Sequence, residues 1–400
     1  MLHRNFRIEY RIQVSIYFLL LTLLWAGEAI SKDLRKVDPG IYGEVKTGFA
    51  YKDNVFRRDS SKESDYLFIA QPSLLWKAGF GKHFLVTRYT GEYAKYFSLD
   101  EQDYNDHAGS LDLGFNFTEK FYANFGGEFV RSHYRPQAPG VTIDDFRSVT
   151  RWSERRVHGT FVYGRRNLGA AEIALSVYGT QRRHHNNSQD VRDRDGVGVK
   201  LGYDQPLTQK TRLLSVFKYN RYNFTKSNLA IDQDNQGYSF WAGISWDHTA
   251  KTTSRVLVGF IRQISDSSSF KDFSGVGVEA DVFWEPQEDD LITFSAYRIP
   301  KQSSARGSGF FISNRVGVNW RHNYEDYIHI NSGVRFRYDD YSAQQRTEKY
   351  AFANVGISYS LTTLVEVGCE YNFTFRDSSL RDRDYRANTV NLFVRLTPTF

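Results

Sequence analysis

Apolar and polar residues alternate along most of this chain. In YSFWAGISW, residues 238 to 246, Tyr238, Phe240, Ala242, Ile244 and Trp246 fall on one side of an extended backbone, with Ser239, Gly243 and Ser245 on the other. VEVGCEYNFTF, residues 365 to 375, sets Val365, Val367, Cys369, Tyr371, Phe373 and Phe375 against Glu366, Gly368, Glu370, Asn372 and Thr374. IHINSGVRFRY, residues 328 to 338, does the same with Ile328, Ile330, Val334, Phe336 and Tyr338 against His329, Asn331, Arg335 and Arg337. A period of two sustained over ten or so residues predicts long strands with one apolar and one polar face. The same pattern runs through NTVNLFVRLTPTF, so the last strand is predicted to reach the aromatic Phe400.

The connections alternate as well. Short ones fall at 78–82, 118–121, 166–169, 206–210, 248–251, 285–290, 323–326 and 361–363, and longer charged or Ser/Asn-rich stretches separate them. Eight turns and nine loops imply about eighteen strands. Short turns at one end, long loops at the other and an even strand number predict an all-β fold, a transmembrane antiparallel β-barrel with short periplasmic turns and longer extracellular loops. A strand crossing hydrocarbon needs every backbone polar group paired, and only a closed sheet has no edge. Strand-end aromatics (Tyr89, Tyr93, Tyr163, Tyr219, Trp246, Trp284, Trp320 and Tyr359) suit the interfacial girdles of such a barrel. A β-propeller would need four short strands per repeat, and a β-sandwich strands of about five or six residues. Neither matches these long paired units.

Composition agrees with this picture. The chain has 400 residues, 16% aromatic and 24% charged, with 26 Tyr, 31 Phe and 30 Gly, which favours strand over helix. A single cysteine, Cys369, excludes an intrachain disulfide framework and a cysteine-clustered zinc site. At the N-terminus, His3, Arg4, Arg7 and Arg11 precede the apolar run from Val14 to Trp25 and then small residues. About a dozen apolar residues fit a secretory signal better than an anchor, so residues 1–29 are read as a signal peptide, 30–40 as a short periplasmic segment and 41–400 as the barrel. After Trp25 no apolar run is long enough for a membrane helix. The formal charge of +6 is spread out and forms no basic block of the kind nucleic acid requires.

Two stretches carry a resemblance. YKDNVFRRDSSKESDYLFIAQPSLLW (51–76) and YTGEYAKYFSLDEQDYNDHAGSLDLGF (89–115) resemble the family called putative β-barrel porin 2, with Asp53, Asn54, Ser64, Asp65 and Pro72 at its motif positions. The likeness covers nearly all of the chain after the signal. It implies a bacterial outer-membrane barrel, often associated with exopolysaccharide production, and hence export of a sugar polymer.

Candidate chemistry is sparse. His184, His185, Asp190, Asp193 and Asp195 suggest a metal, but the distal Glu of a calcium loop is absent, and a solvated loop is the better reading. His107, His133, His158 and His329 lack a nucleophile at recognisable spacing, and there is no GxSxG or Walker loop. No enzyme, cofactor or metal site is therefore expected. The expected inward charges are Arg88, Glu92, Glu128, Arg156, Glu172, Lys200, Asp204, Lys218, Glu279, Asp281, Arg315, Arg335, Arg337, Glu366, Glu370 and Arg395. Arg315, Arg335 and Arg337, near inward His329 and facing Glu366 and Glu370, form the expected lumen-lining group. Inward Tyr122, Tyr178, Trp241 and Tyr350 offer rings to a passing sugar. The expected function is exopolysaccharide export, with a general diffusion porin as alternative and a barrel enzyme third. A porin would fold a long loop inward, for which residues 134–153 are the candidate. Expected partners are outer-membrane lipid and lipopolysaccharide, polysaccharide secretion components, and the barrel assembly machinery, which would read Phe400.

Overall fold

The computed structural model describes residues 39–136, 148–164, 169–225, 233–268, 270–302, 310–325, 327–341 and 345–398. The expected signal peptide, most of the expected 30–40 segment and Phe400 lie outside the described residues. Eighteen strands follow one another. The first six are β1 (Gly40–Lys52), β2 (Asp65–Phe80), β3 (His83–Tyr96), β4 (Tyr104–Asn116), β5 (Phe121–Tyr134) and β6 (Thr150–Gly164). Then come β7 (Glu172–His184), β8 (Arg194–Pro206), β9 (Thr211–Phe224), β10 (Asn235–Thr249), β11 (Thr252–Ser265) and β12 (Phe273–Trp284). The ring is completed by β13 (Asp290–Gln302), β14 (Phe310–Tyr324), β15 (Ile328–Tyr341), β16 (Arg346–Ser360), β17 (Val365–Ser378) and β18 (Tyr385–Leu396).

Each strand pairs antiparallel with its neighbours in sequence, and β1 pairs with both β2 and β18. The seam runs from Val45 opposite Leu396 to Lys52 opposite Thr389. The sheet therefore closes with no free edge, the condition for a sheet in hydrocarbon. One local break occurs where Pro72, which has no N–H to donate, interrupts the β2–β3 ladder between Ala70 and Ser73.

The predicted faces agree with the observed exposure. Val390, Leu392, Val394 and Leu396 point out of β18, as do Tyr238, Phe240, Ile244 and Trp246 from β10 and Val334, Phe336 and Tyr338 from β15. Exposed rings gather at both ends of this outer face. Trp76, Tyr163, Trp246, Trp284, Trp320 and Tyr359 stand by the short turns, and Tyr51, Tyr66, Tyr93, Tyr238 and Tyr338 by the long loops. Such rings sit where an amphipathic side chain is half in water and half in lipid.

Local chemistry explains the tight turns. Gly81, between β2 and β3, has a φ of 63°, which a hairpin of this length needs and which glycine adopts without a Cβ clash. At three other turns a threonine hydroxyl accepts backbone N–H groups from the start of the next strand. Thr118 receives Phe121 N at 2.9 Å, Thr208 receives Thr211 N at 3.0 Å and Thr362 receives Val365 N at 3.1 Å.

The inner wall is not uniformly polar. Leu75, Phe84, Val86 and Tyr122 form one apolar cluster, and Leu214, Val216, Trp241, Leu257 and Ile261 another. A third lies at the long-loop mouth. There Val55 and Phe56, from the β1–β2 loop, and Val149, just before β6, pack on Ala50, Leu67, Ala94, Tyr96 and Tyr104.

Candidate functional site

The lumen wall holds the chemistry. On β14 and β15, Arg315 stands opposite Arg337, and Arg335 lies two residues below on the same face. Each guanidinium lies near an aromatic ring. Arg315 is 4.3 Å from the Tyr297 centroid, Arg337 3.8 Å from Tyr350 and Arg335 5.4 Å from Phe352. Guanidinium is weakly hydrated, so it settles on a ring face at little desolvation cost and keeps its charge.

Towards the mouth the stripe enters a buried network. Arg337 Nε lies 3.2 Å from Asp339 Oδ2, and Asp339 accepts a hydrogen bond from Ser313 Oγ at 2.7 Å. Above it Glu348 receives Arg346, Arg376 and the Tyr350 hydroxyl. Glu348, Asp339 and Arg376 are fully buried. Arg337 is thus half structural; Arg315, level with it, lies over Tyr297, and Arg335 stands two residues further from the mouth.

The remaining residues expected in this group stand elsewhere. His329 is at the short-turn end of β15, where Nδ1 meets Asn323 Oδ1 at 2.9 Å and Nε2 meets Ser360 Oγ at 3.1 Å. Glu366 takes Arg395 at 2.9 Å, with Glu44 also 3.2 Å from Arg395, and Glu370 takes Lys46 at 2.8 Å. These acids are neutralised across β17, β18 and β1, and in the arginine stripe Arg337 meets Asp339 instead.

A second set of stacked cations lines the far side of the ring. Arg156 lies over Tyr178 at 4.5 Å, Arg182 over Trp152 at 4.5 Å, Arg194 over Tyr222 at 4.7 Å and Lys218 over Trp241 at 5.2 Å. Arg182, Arg194, Trp152 and Tyr222 were missed from sequence, although their strand parity marks them as inward. Glycines set how these rings lie. A Cβ on Gly198 would come within 2.2 Å of the Tyr178 ring, and one on Gly277 within 2.4 Å of Trp241. The rings lie flat against the wall over these gaps, and Trp241 is only 3% exposed.

Carboxylates stand beside four of the described histidines, among them His322 of β14, whose Nδ1 lies 2.9 Å from Asp290 Oδ1 of β13. Asp106 holds His133 Nδ1 at 3.0 Å and also accepts from Ser132 Oγ at 2.9 Å. Asp112 lies 3.2 Å from His158 Nε2, and Asp193 2.9 Å from His184 Nδ1. The Ser132 hydroxyl is spent on the carboxylate and not on the imidazole, so the trio is a fastening across β4 and β5. Among the described residues no three His, Cys, Asp or Glu side chains gather as metal ligands. A shallow groove beside Phe49, Phe68, Ile357, Cys369 and Leu392 lies on the outer, lipid-facing wall, away from this chemistry.

A family model described as putative beta-barrel porin 2 matches residues 40–397. The chain belongs to that family. This member of the porin 2 family is an outer-membrane β-barrel channel of the porin type. Among solved structures it is similar to OpdO from Pseudomonas aeruginosa (TM-score 0.51, 11% identity, covering 90% of this chain and 97% of that one). It is also similar to opdK from Pseudomonas aeruginosa (TM-score 0.50, 10% identity, 90% and 98% covered). Against the FrpB iron transporter from Neisseria meningitidis the TM-score is 0.48 at 12% identity; the match takes in 88% of this chain but spans only 64% of that protein's length. At such identities the likeness is one of fold. No curated protein matches the chain in sequence.

Proposed function

We propose that this barrel passes an acidic polysaccharide across the outer membrane, working with the components of a secretion pathway. The observation that carries the reading is the lumen wall of guanidinium groups stacked on aromatic rings, centred on Arg315 with Tyr297 and Arg335 with Phe352. A sugar ring presents an apolar face to an aromatic ring, and a carboxylate on it pairs with guanidinium. The family resemblance independently points to sugar-polymer export.

The test reverses two charges. Arg315→Glu with Arg335→Glu leaves Arg337 in place, because Glu at 337 would confront buried Asp339 and confuse folding with function. In planar bilayers the pair shifts the channel towards cations. In cells, two lost contacts of about 0.5–1 kcal/mol each correspond to a fall of roughly tenfold in secreted acidic polymer at constant barrel level. Unchanged selectivity and secretion would sink the proposal.

General diffusion of small solutes is the second reading, favoured by Val55, Phe56 and Val149 packing into the mouth as a constriction does. It expects neutral sugars to enter liposomes containing the barrel at a rate that rises when these three residues are cut to Ala. The centre of the 134–153 loop lies outside the described residues.

A further inference from the structure

Four arginines surround one serine on the lipid-facing side of the barrel. Ser153 on β6 stands opposite Arg131 of β5 on one side and Arg183 of β7 on the other. Arg151 and Arg155 flank it on its own strand and face. Diagonal neighbours in such a ladder are about 7–8 Å apart, so Arg131 and Arg155 reach the space above Ser153, and at its margins Arg151 donates to Asp103 O at 3.5 Å and Arg183 to Arg182 O at 2.8 Å and Arg194 O at 3.0 Å. His185 Nε2 joins them, 2.9 Å from Ser153 Oγ. Arg183 is paired with Asp195 at 2.7 Å. Among the described residues, Arg131 and Arg155 have no carboxylate within salt-bridge distance, and both are exposed.

The position of the cluster limits what it can bind. It points away from the lumen, so cargo inside the barrel does not meet it. It stands at the long-loop end, directly above the exposed apolar residues Phe129, Val157 and Val177 of the same three strands and Val197 of neighbouring β8, with Val157 66% exposed. The short-turn half of these strands carries no Lys or Arg on that face. Other outward cations at this level are scattered: Lys95 is paired with Asp103, Arg221 with Asp266 and Lys349 with Asp377, Arg298 donates to Asn314, Arg386 lies over Phe375, and Arg262 stands singly on β11. A basic cluster on top of an apolar wall matches a molecule whose acyl chains lie along the wall and whose phosphate sits at the interface.

We propose that Arg131, Arg151, Arg155 and Arg183 form a binding site for the phosphate of a phosphorylated glycolipid of the outer leaflet. Guanidinium forks bind phosphate oxygens in pairs, and the low-dielectric boundary strengthens each contact. The Ser153 hydroxyl and His185 complete the floor. The outer-leaflet glycolipid would then be held at one arc of the barrel, β5 to β7, and not uniformly around it.

The test uses the full barrel folded in neutral detergent and incubated with bis-phosphorylated lipid A, with bound glycolipid counted by native mass spectrometry. Wild type should retain an adduct that is lost when the lipid phosphates are removed. Arg131→Glu with Arg155→Glu should reduce the adduct about tenfold or more, the scale of one lost charge-assisted hydrogen bond. The Arg131→Lys, Arg155→Lys pair should fall between, since an ammonium keeps the charge without the fork. Arg262→Glu should bind as wild type. Faster migration of unboiled samples on gels confirms folding, and if the Glu pair does not fold, Arg131→Gln with Arg155→Gln replaces it. Equal adducts in wild type and the β5–β6 variants, or an equal loss with Arg262→Glu, overturns the site. Inorganic phosphate bound with the same dependence on Arg131 and Arg155, with no preference for the glycolipid, overturns its assignment to lipid.

Discussion

At the scale of single residues, the motif that carries the family resemblance proves to be stitching. Asp53, one residue past β1, accepts from Asn388 of β18 through both carboxylate oxygens, from the backbone N at 2.7 Å and the side-chain Nδ2 at 2.5 Å. Asn54 donates to Arg386 O at 2.9 Å and to Arg58 O at 2.6 Å. Together they extend the seam beyond the β1–β18 ladder and fold the first long loop back into the mouth. Asp65 accepts from Ser98 N and Leu99 N, tying β2 to the β3–β4 loop. Asp53→Ala with Asn54→Ala removes several buried or charge-assisted hydrogen bonds worth about 1–3 kcal/mol each. The temperature at which the folded gel band disappears is expected to drop, with channel selectivity unchanged; an unaltered melting temperature would show that the seam ladder alone holds the closure. The sequence marked Asp53 and Asn54 as a signature but not as a latch, because their partners on β18 lie more than three hundred residues away.

At the scale of elements, alternation made the eighteen strands legible. Turns and loops fall where Gly, Thr, Asp and Ser cluster, and outward faces follow apolarity from β1 to β18. The same rule hid the inward apolar residues. In LL at 213 and 214 or at 74 and 75, both neighbours are leucine, so parity cannot be read locally; the structure turns Leu214 and Leu75 inward, into clusters with Trp241 and with Phe84. Cross-strand partners were likewise invisible, which is why Glu366 and Glu370 were set against the arginine stripe when Arg395 and Lys46 neutralise them. Face assignment on β15 has a direct test. Val334→Arg and Phe336→Arg place charge on residues that are 47% and 55% exposed on the lipid side. Each is expected to cost about 2–4 kcal/mol near the midplane and to lower the yield of folded barrel, while Arg335→Gln between them is tolerated. Equal yields for the three variants, measured by the unboiled gel band, would refute this placement.

At the scale of the whole molecule, closure governs stability, because no strand can leave the ring without stranding backbone donors and acceptors in hydrocarbon. Unboiled protein from the outer-membrane fraction is therefore expected to migrate faster than boiled protein, and its recovery from periplasm without detergent would contradict the barrel. Closure also has a consequence for timing. Every other pair in the sheet joins strands adjacent along the chain, but the seam unites Val45 with Leu396. Closing so large a loop costs about 4 kcal/mol more entropy than closing a four-residue hairpin. That contact cannot exist until the ribosome has released nearly the whole polypeptide. The chain must cross the inner membrane and wait as an amphipathic ribbon, its lipid-facing rings wetted, with its earliest strand idle until the eighteenth arrives. Whatever escort shields those rings in transit is therefore needed longest by β1, the strand that was first out.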